Sequence, residues 1–374
     1  MKKIKLMFVL GGLFGGGAER IVCNLLKGLD RKIFEVNLFL LYNKGESAYW
    51  NMLPDDVNVY IGSKSSKIKA FKNLYKVTKK ENIDILIGSV ELTVTYLVVI
   101  IGYLLNIKTV GWVHINIDSI LKNAPNKINA FLHKNIFIKL FYNRINKIIA
   151  VSYGAKKNIQ KYIFNKEKVI CIYNPIDIKY IRNKGFEEIK EDFKHPVVIG
   201  IGRLEKQKNF ANLIKAHKIL LNKGIRHELI ILGQGTEKDF LKNLIIDLGL
   251  EKSVKLLGFK DNPYSYLSRA DIFVQSSLFE GLPTVIIEAL ALNIPVVATD
   301  CPDGAREILK DGEYGILVKN NDIKALADGI EILLVNKYKY NYLKNKSKKA
   351  IEPFNYDYIV KNFEGFFIKV YINS

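Results

Sequence analysis

Val197-Val198-Ile199-Gly200-Ile201-Gly202-Arg203-Leu204-Glu205-Lys206-Gln207-Lys208-Asn209, running on into the helical pattern Phe210–Asn222, holds a strand, a polar loop and a helix in one stretch. Its first six residues carry no charge and read as a strand buried on both faces. After it the scheme repeats: strand-like runs at Glu228–Leu232, Val254–Leu257, Asp271–Gln275 and Pro295–Thr299 alternate with helical patterns such as Glu237–Leu248 and Thr284–Leu292. Before it lies a second series, with strand-like runs at Ile4–Leu10, Glu35–Leu41, Ile83–Gly88, Thr109–His114, Lys147–Val151 and Val169–Ile172, and a first helix at Ala18–Leu29. Strand–helix alternation implies parallel sheets with helices on both faces. Two series imply an α/β chain of two doubly wound, Rossmann-like domains, residues 1–185 and 195–350, joined by the polar stretch Lys184–His195. Ligands of such sheets collect beyond the carboxyl ends of the strands, so a substrate held in a cleft faced by both domains is expected.

A chain of 374 residues exceeds what one hydrophobic core organises, in keeping with two domains. With 49% apolar and 25% charged residues the composition excludes disordered, collagen-like and coiled-coil proteins. Cys23, Cys171 and Cys301 lie far apart without metal-ligand spacing, so neither a disulfide framework nor a zinc site is expected. The start, MKKIKLMFVLGGLF, imitates a signal peptide, but no small-x-small cleavage site follows, and residues 4–10 read as a buried first strand. Leu92–Leu105 has no charge yet falls short of the ~20 residues a spanning helix needs, and reads as a core helix.

Three loops follow strands and carry candidate chemistry. The first reads Gly11-Gly12-Leu13-Phe14-Gly15-Gly16-Gly17-Ala18-Glu19-Arg20, where glycines permit close backbone approach and a helix start aims N–H groups at an anion. A dinucleotide fold would add an acid at the end of the second strand, and Leu41-Tyr42-Asn43 supplies none. In the second loop Arg203 offers a planar fork for phosphate oxygens and Lys208 a mobile point charge. The third is Phe279-Glu280-Gly281-Leu282-Pro283-Thr284-Val285-Ile286-Ile287-Glu288, with Pro283 suited to a first helical position. Its backbone from Gly281 to Thr284 could donate to a sugar or phosphate, and ionised Glu280 and Glu288 can each accept from a hydroxyl pair.

From Gly202 to Leu309 the chain resembles the nucleotide-sugar half of bacterial glycosyltransferases of family 4, also called group 1. The segments GRLEKQKN, LGQG (Leu232–Gly235), LLGFKDN (Leu256–Asn262), SSLFEGLPTVIIEALALNIPVVATD and GAREIL stand in that family's order, and Glu280 with Glu288 matches its E-x7-E pair. GGAER at Gly16–Arg20, Trp112-Val113-His114 and Tyr173-Asn174-Pro175 extend the likeness over nearly the whole chain. Its flavour is that of enzymes adding N-acetylhexosamines or related hexoses to polyprenyl-diphosphate-linked saccharides.

The resemblance implies a GT-B fold, with an acceptor-binding domain at 1–185, a donor-binding domain at 195–350, and a C-terminal helix within 351–374 that packs back on the first domain. It implies that Arg203 and Lys208 bind the donor diphosphate, that Glu280 holds hydroxyls of the transferred sugar, and that Glu288 holds the ribose. Gly16 and Gly17 would close over the phosphates, His114 would reach the donor sugar, and Phe259, Gly281, Leu282, Pro283 and Thr284 would complete the donor site. The expected donor is a nucleotide sugar, UDP-linked, transferred with retention. Pro283-Thr284 replace the commoner Phe-Gly type of sequence after the first glutamate. No Asp-x-Asp motif occurs, so no metal is expected, the cations and a helix end taking its place.

Charge adds a partner. Residues 1–190 hold 31 Lys and Arg against 14 Asp and Glu, whereas residues 191–374 hold 26 against 23. Codon bias would load both halves alike, so the excess points to an anionic partner for the first half. Residues 119–166 contain ten Lys/Arg and no acid, with Ile128, Phe131, Leu132, Ile136, Leu140, Phe141 and Ile145 near helical spacing; Ser63–Lys80 has seven Lys and no acid, with Ile68, Phe71, Leu74 and Tyr75 for an apolar side. Such helices suit the anionic headgroups of the cytoplasmic leaflet and a lipid-linked saccharide acceptor, placing the protein peripherally on the inner face of the cell membrane. The rival readings are a nucleotide-sugar epimerase or NAD-dependent oxidoreductase, and a basic nucleic-acid-binding protein; the expected chain binds no nucleic acid.

Overall fold

The computed structural model describes residues 2–42, 49–193 and 196–372. They form two compact units, one from residues 1–176 with 354–374 and one from 177–353. The border thus precedes the polar stretch that suggested it, whose residues 194–195 lie outside the described residues, as does Asn43. Helix Ile178–Gly185 is part of the second unit: Arg182 Nε donates to the Ala291 carbonyl at 2.9 Å, and Asn262 Nδ2 donates to the Lys184 carbonyl at 2.9 Å.

In the first unit β1 (Ile4–Leu10), β2 (Phe34–Tyr42), β3 (Asn58–Ser63), β4 (Ile85–Gly88), β5 (Lys108–Val113), β6 (Lys147–Ala150) and β7 (Val169–Cys171) make one sheet ordered β3-β2-β1-β4-β5-β6-β7. Every neighbouring pair is parallel. Helix Gly17–Gly28 buries Ile21, Val22, Leu25 and Leu26, a stripe at helical spacing. The uncharged run after Leu92 is helix Thr93–Leu105, which buries Val94, Tyr96, Val98, Val99 and Ile101. Among the described residues no helix is long and apolar enough to cross a membrane. The last helix, Tyr356–Ile372, completes this unit. Its Phe367 ring meets Phe8 and Phe34 edge-on at 5.9 and 6.3 Å, and its Phe363 meets Trp112 at 4.9 Å. Aromatic pairs of this kind contribute ~0.5–1.5 kcal/mol each beyond the area they bury.

In the second unit β8 (Val197–Ile201), β9 (Glu228–Leu232), β10 (Val254–Gly258), β11 (Ile272–Gln275), β12 (Val296–Thr299) and β13 (Ile316–Val318) are ordered β10-β9-β8-β11-β12-β13, again all parallel. Each sheet reverses its strand order beside its first strand, between β1 and β4 and between β8 and β11. These are the points where a doubly wound sheet opens a crevice at its carboxyl edge. The core of the second unit also encloses a polar chain. Ser253 Oγ bonds His217 Nε2 at 2.9 Å, His217 Nδ1 bonds His227 Nε2 at 2.8 Å, and His227 Nδ1 reaches the Ile225 carbonyl at 3.0 Å. Only one proton arrangement with two neutral rings satisfies all three: serine hydroxyl to His217, His217 Nδ1–H to His227, His227 Nδ1–H to the carbonyl.

Candidate active site

Because β8 and β11 are neighbours, the loops leaving their carboxyl ends meet, although their residues lie far apart in sequence. Lys208 sits in the 3₁₀ turn Lys206–Lys208 after β8, and Asn209 then takes a left-handed conformation (φ 51°) to start helix Phe210–Asn222. Lys208 Nζ lies 2.5 Å from Glu280 Oε1, and Ser277 Oγ donates to the same oxygen at 2.6 Å. The backbone is tied as firmly. Leu278 N–H donates to the Gln207 carbonyl at 2.8 Å, Gln207 Nε2 to the Phe279 carbonyl at 2.8 Å, and Ser276 Oγ to the Lys208 carbonyl at 2.8 Å. Thr299 Oγ1, at the end of β12, donates to the Ser277 carbonyl at 2.6 Å. Lys208 and Glu280 line a small hollow with Ser276, Ser277 and Pro283 over a floor that includes Ile201 and Phe210.

Two glycines fix the surrounding loops. Gly233, at φ +144°, presses on the Gly202 carbonyl so closely that a Cβ would stand 1.8 Å from that oxygen. Gly304, at φ +82°, leaves room for the Gly281 carbonyl and the Pro283 ring, which a Cβ would meet at 2.6 and 2.5 Å. Both positions demand a residue without a side chain.

Of the sequence-predicted residues, Lys208 and Glu280 are brought into direct contact. Arg203 is exposed on the same loop, its Nη2 3.5 Å from Gln207 Oε1. Glu288 is buried, 2% exposed, within helix Thr284–Ala291 and does not line the hollow. Gly281, Leu282 and Pro283 are buried and Thr284 half-buried; Pro283 caps the helix rather than opening it, Thr284 being the first helical residue. Phe259, just past β10, is exposed. Cys301 is enclosed nearby, and burial, with the negative Glu280 adding to it, pushes its thiol up to about 12, so it stays an inert thiol.

In the first unit the glycine loop after β1 already holds an anion of its own. The Glu19 carboxylate oxygen Oε2 accepts from the N–H groups of Phe14, Gly15 and Gly16 at 2.5, 2.8 and 3.1 Å. Gly16 therefore has its N–H committed within the loop, and Gly17 begins the helix.

His114 stands just beyond β5. Its Nε2 is enclosed and has no partner among the described residues, while the ring's other nitrogen bonds the Ser89 carbonyl. Burial pulls its pKa down to about 3, so the ring is neutral and Nε2 presents a lone pair. The Trp112 ring packs 4.7 Å from it, tilted at 36°.

Sequence reasoning passed over Glu91, which lies beyond β4 in the turn Ser89-Val90-Glu91-Leu92. Its Oε1 accepts the His114 N–H, and the N–H groups of Ile115 and of Glu91 itself also reach the carboxyl. Burial lifts its pKa to about 7, those N–H groups opposing the rise. The next residue, Leu92, holds φ 57° and ψ −113°, a conformation that costs a side-chain-bearing residue ~1–3 kcal/mol. Ser277, Gln207 and Thr299 were missed as well. A hydroxyl or amide within a loop carries no signal until the strand order shows which acid it meets.

Known proteins match over both units. The family described as glycosyl transferases group 1 matches residues 182–350, and glycosyltransferase family 4 matches residues 15–180. The chain is 32% identical over 359 residues to the Campylobacter jejuni N-acetylgalactosamine-N,N'-diacetylbacillosaminyl-diphospho-undecaprenol 4-alpha-N-acetylgalactosaminyltransferase, covering 94% of this chain and 96% of that protein. It is 26% identical to the GalNAc-alpha-(1->4)-GalNAc-alpha-(1->3)-diNAcBac-PP-undecaprenol alpha-1,4-N-acetyl-D-galactosaminyltransferase of the same organism, covering 95% and 96%. Among solved structures, Anabaena HepE in complex with UDP and glucose superposes with a TM-score of 0.79 at 21% identity, covering 98% of this chain and all of that one.

Proposed function

This chain belongs to the group 1, family 4 glycosyltransferases of GT-B fold, and from that premise we propose that it moves a hexose or N-acetylhexosamine from a UDP-sugar, with retention, onto a polyprenyl-diphosphate-linked saccharide. Membership in that family replaces the epimerase and oxidoreductase readings. The observation that carries the donor half is the ion pair of Lys208 and Glu280 in a hollow at the β8/β11 switch point, where a doubly wound sheet binds its ligand. The two Campylobacter relatives, matched along most of their length and named for diphospho-undecaprenol saccharides, support the acceptor half, and HepE with its UDP supports the nucleotide.

In this reading the sugar–phosphate bond breaks as negative charge grows on the departing diphosphate. Lys208 leaves Glu280 for that charge, and Arg203, exposed and loosely held, folds onto it. Cations drawn to charge as it grows favour the transition state over the ground state. Glu280, released, accepts from hydroxyls of the sugar, and Glu288 serves the ribose. Phe259 and the backbone of Gly281, Leu282, Pro283 and Thr284 complete the donor site, and Gly16 and Gly17 offer N–H groups to an anion once Glu19 yields their loop. No metal takes part.

The membrane half rests on residues 122–144. Ile128, Phe131, Ile136 and Leu140 are exposed there beside exposed Lys122, Lys127, Lys134, Lys139 and Arg144. Apolar and cationic side chains on one exposed stretch suit an anionic leaflet, each charge contributing ~1 kcal/mol near its surface. The enzyme then works peripherally on the inner face of the cell membrane, with no nucleic-acid partner. The test is a matrix of UDP-sugars against an undecaprenyl-diphosphate saccharide. Release of UDP that requires both supports the reading, and release that ignores the lipid-linked acceptor for every donor overturns it.

A further inference from the structure

β5 ends at Val113, so the N–H group of His114 has no ladder partner among the described residues and must be satisfied by something else. The neighbouring strand supplies it. β4 lies parallel beside β5, and the turn that leaves β4 delivers Ser89 and Glu91 to the point where the β5 backbone runs out. The Glu91 carboxyl accepts from His114 N–H and Ile115 N–H, and the Ser89 carbonyl accepts from the His114 ring. Two residues of one turn therefore hold both the peptide and the imidazole of His114.

One face of the ring is also occupied. Trp112 covers the ring, and Trp112 is itself buried against Phe363. Leu92 N–H donates to the Tyr142 hydroxyl at 3.2 Å, which secures the strained residue after Glu91. What is left over includes His114 Nε2, an enclosed acceptor with no partner among the described residues, beside Trp112 Nε1 and Ser89 Oγ, which lack one too. Buried polar atoms ordinarily have one, and an orphan at a strand's carboxyl edge is a place for a ligand O–H.

We infer that Glu91 is a positioning residue for the transfer reaction: by accepting the His114 and Ile115 N–H groups it orients His114 so that Nε2 receives a hydroxyl of the bound sugar. The inference rests on the transferase reading above. Nothing in it requires the Glu91 charge, only an acceptor oxygen at that point.

Three variants test it: Glu91→Ala, Glu91→Gln and His114→Ala, with the doubles made in the His114→Ala background. Glu91→Ala lowers kcat/KM up to ~10²-fold, the scale of a misplaced contact, while UDP affinity at the Lys208–Glu280 site is unchanged and a wild-type circular dichroism melt certifies that the unit holding Glu91 is folded. Glu91→Gln keeps an acceptor oxygen and restores most of the activity. In the His114→Ala background either substitution changes the rate less than about twofold, since Glu91 acts through the imidazole. An equal loss in both backgrounds, or full activity of Glu91→Ala, overturns the inference. The imidazole resonances of His114 give a readout free of turnover: they shift in Glu91→Ala and stay near wild type in Glu91→Gln. Were the wild type to transfer no sugar at all, the transferase reading would fall, and unmoved His114 resonances would separately dispose of Glu91.

Discussion

Replacing Lys208 by methionine keeps the length of the side chain and removes its charge, leaving Glu280 with Ser277 Oγ as its donor at the same oxygen. The two side chains of the pair retain 19% and 10% of their surface. Breaking a fully buried pair from one side costs ~3–5 kcal/mol; with Ser277 still bonded and some solvent access, about 2 kcal/mol is expected here. For a unit of this size that corresponds to a fall in Tm of about 4–8 °C. Lys208→Met/Glu280→Gln, which removes both charges, should recover at least half of that fall, because the cost lies in the stranded carboxylate. Differential scanning calorimetry of wild type, both singles and the double measures it directly. Single-variant losses that merely add in the double would refute the pair as an energetic unit. Activity should not follow stability: the double regains Tm and remains inactive, because the diphosphate has lost a cation either way.

Arg203→Ala should lower kcat ~10²–10³-fold, by analogy with removal of a transition-state hydrogen-bond donor, with Tm unchanged; near-normal turnover would remove Arg203 from the diphosphate site. His217 and His227 are both held below the ordinary histidine value, first by burial, His217 to about 3, so the unfolded chain binds more protons than the folded one below pH ~6.5. Stability present above that pH is then lost on acidification, by ~1.4 kcal/mol per pH unit for each ring still neutral in the fold, and His217→Gln should show the shallower decline in urea midpoint between pH 6.5 and 5. Liposomes rich in anionic lipid should sediment the protein at low salt and release it when Lys134, Lys139 and Arg144 are reversed to Glu; retention by the reversed variant would count against the basic stretch as the docking face.

What the sequence disclosed follows burial. β1 and β8 are central, shielded on both faces, and their apolar runs at Ile4–Leu10, interrupted only by Lys5, and Val197–Ile201 could hardly be read otherwise. β3 and β13 sit at the sheet edges with partly exposed patterns, and neither Asn58–Ser63 nor the three residues Ile316–Val318 announce a strand. The unit border was misplaced for a related reason. The polar stretch Lys184–His195 looks like a linker, whereas helix Ile178–Gly185 is claimed by bonds to residues 109 and 78 positions onward, which no local pattern reveals. In the site, the residue types at Lys208 and Glu280 were legible and their mutual grip was not, since it depends on β8 lying next to β11. Glu91 and Glu19 escaped because an acid in a turn looks like any solvated acid until its N–H donors are in view.

The first unit is not contiguous in the chain: Phe363 and Phe367, which press on Phe8, Phe34 and Trp112, are encoded after all of residues 177–353. A ribosome therefore delivers the second unit whole while the earlier sheet still waits, its aromatic seam open, for a helix yet to be translated. Vectorial synthesis ordinarily lets the leading domain settle before the trailing one. Here the closing helix of the leading unit is made last, and the nascent sheet keeps that seam uncovered until it arrives.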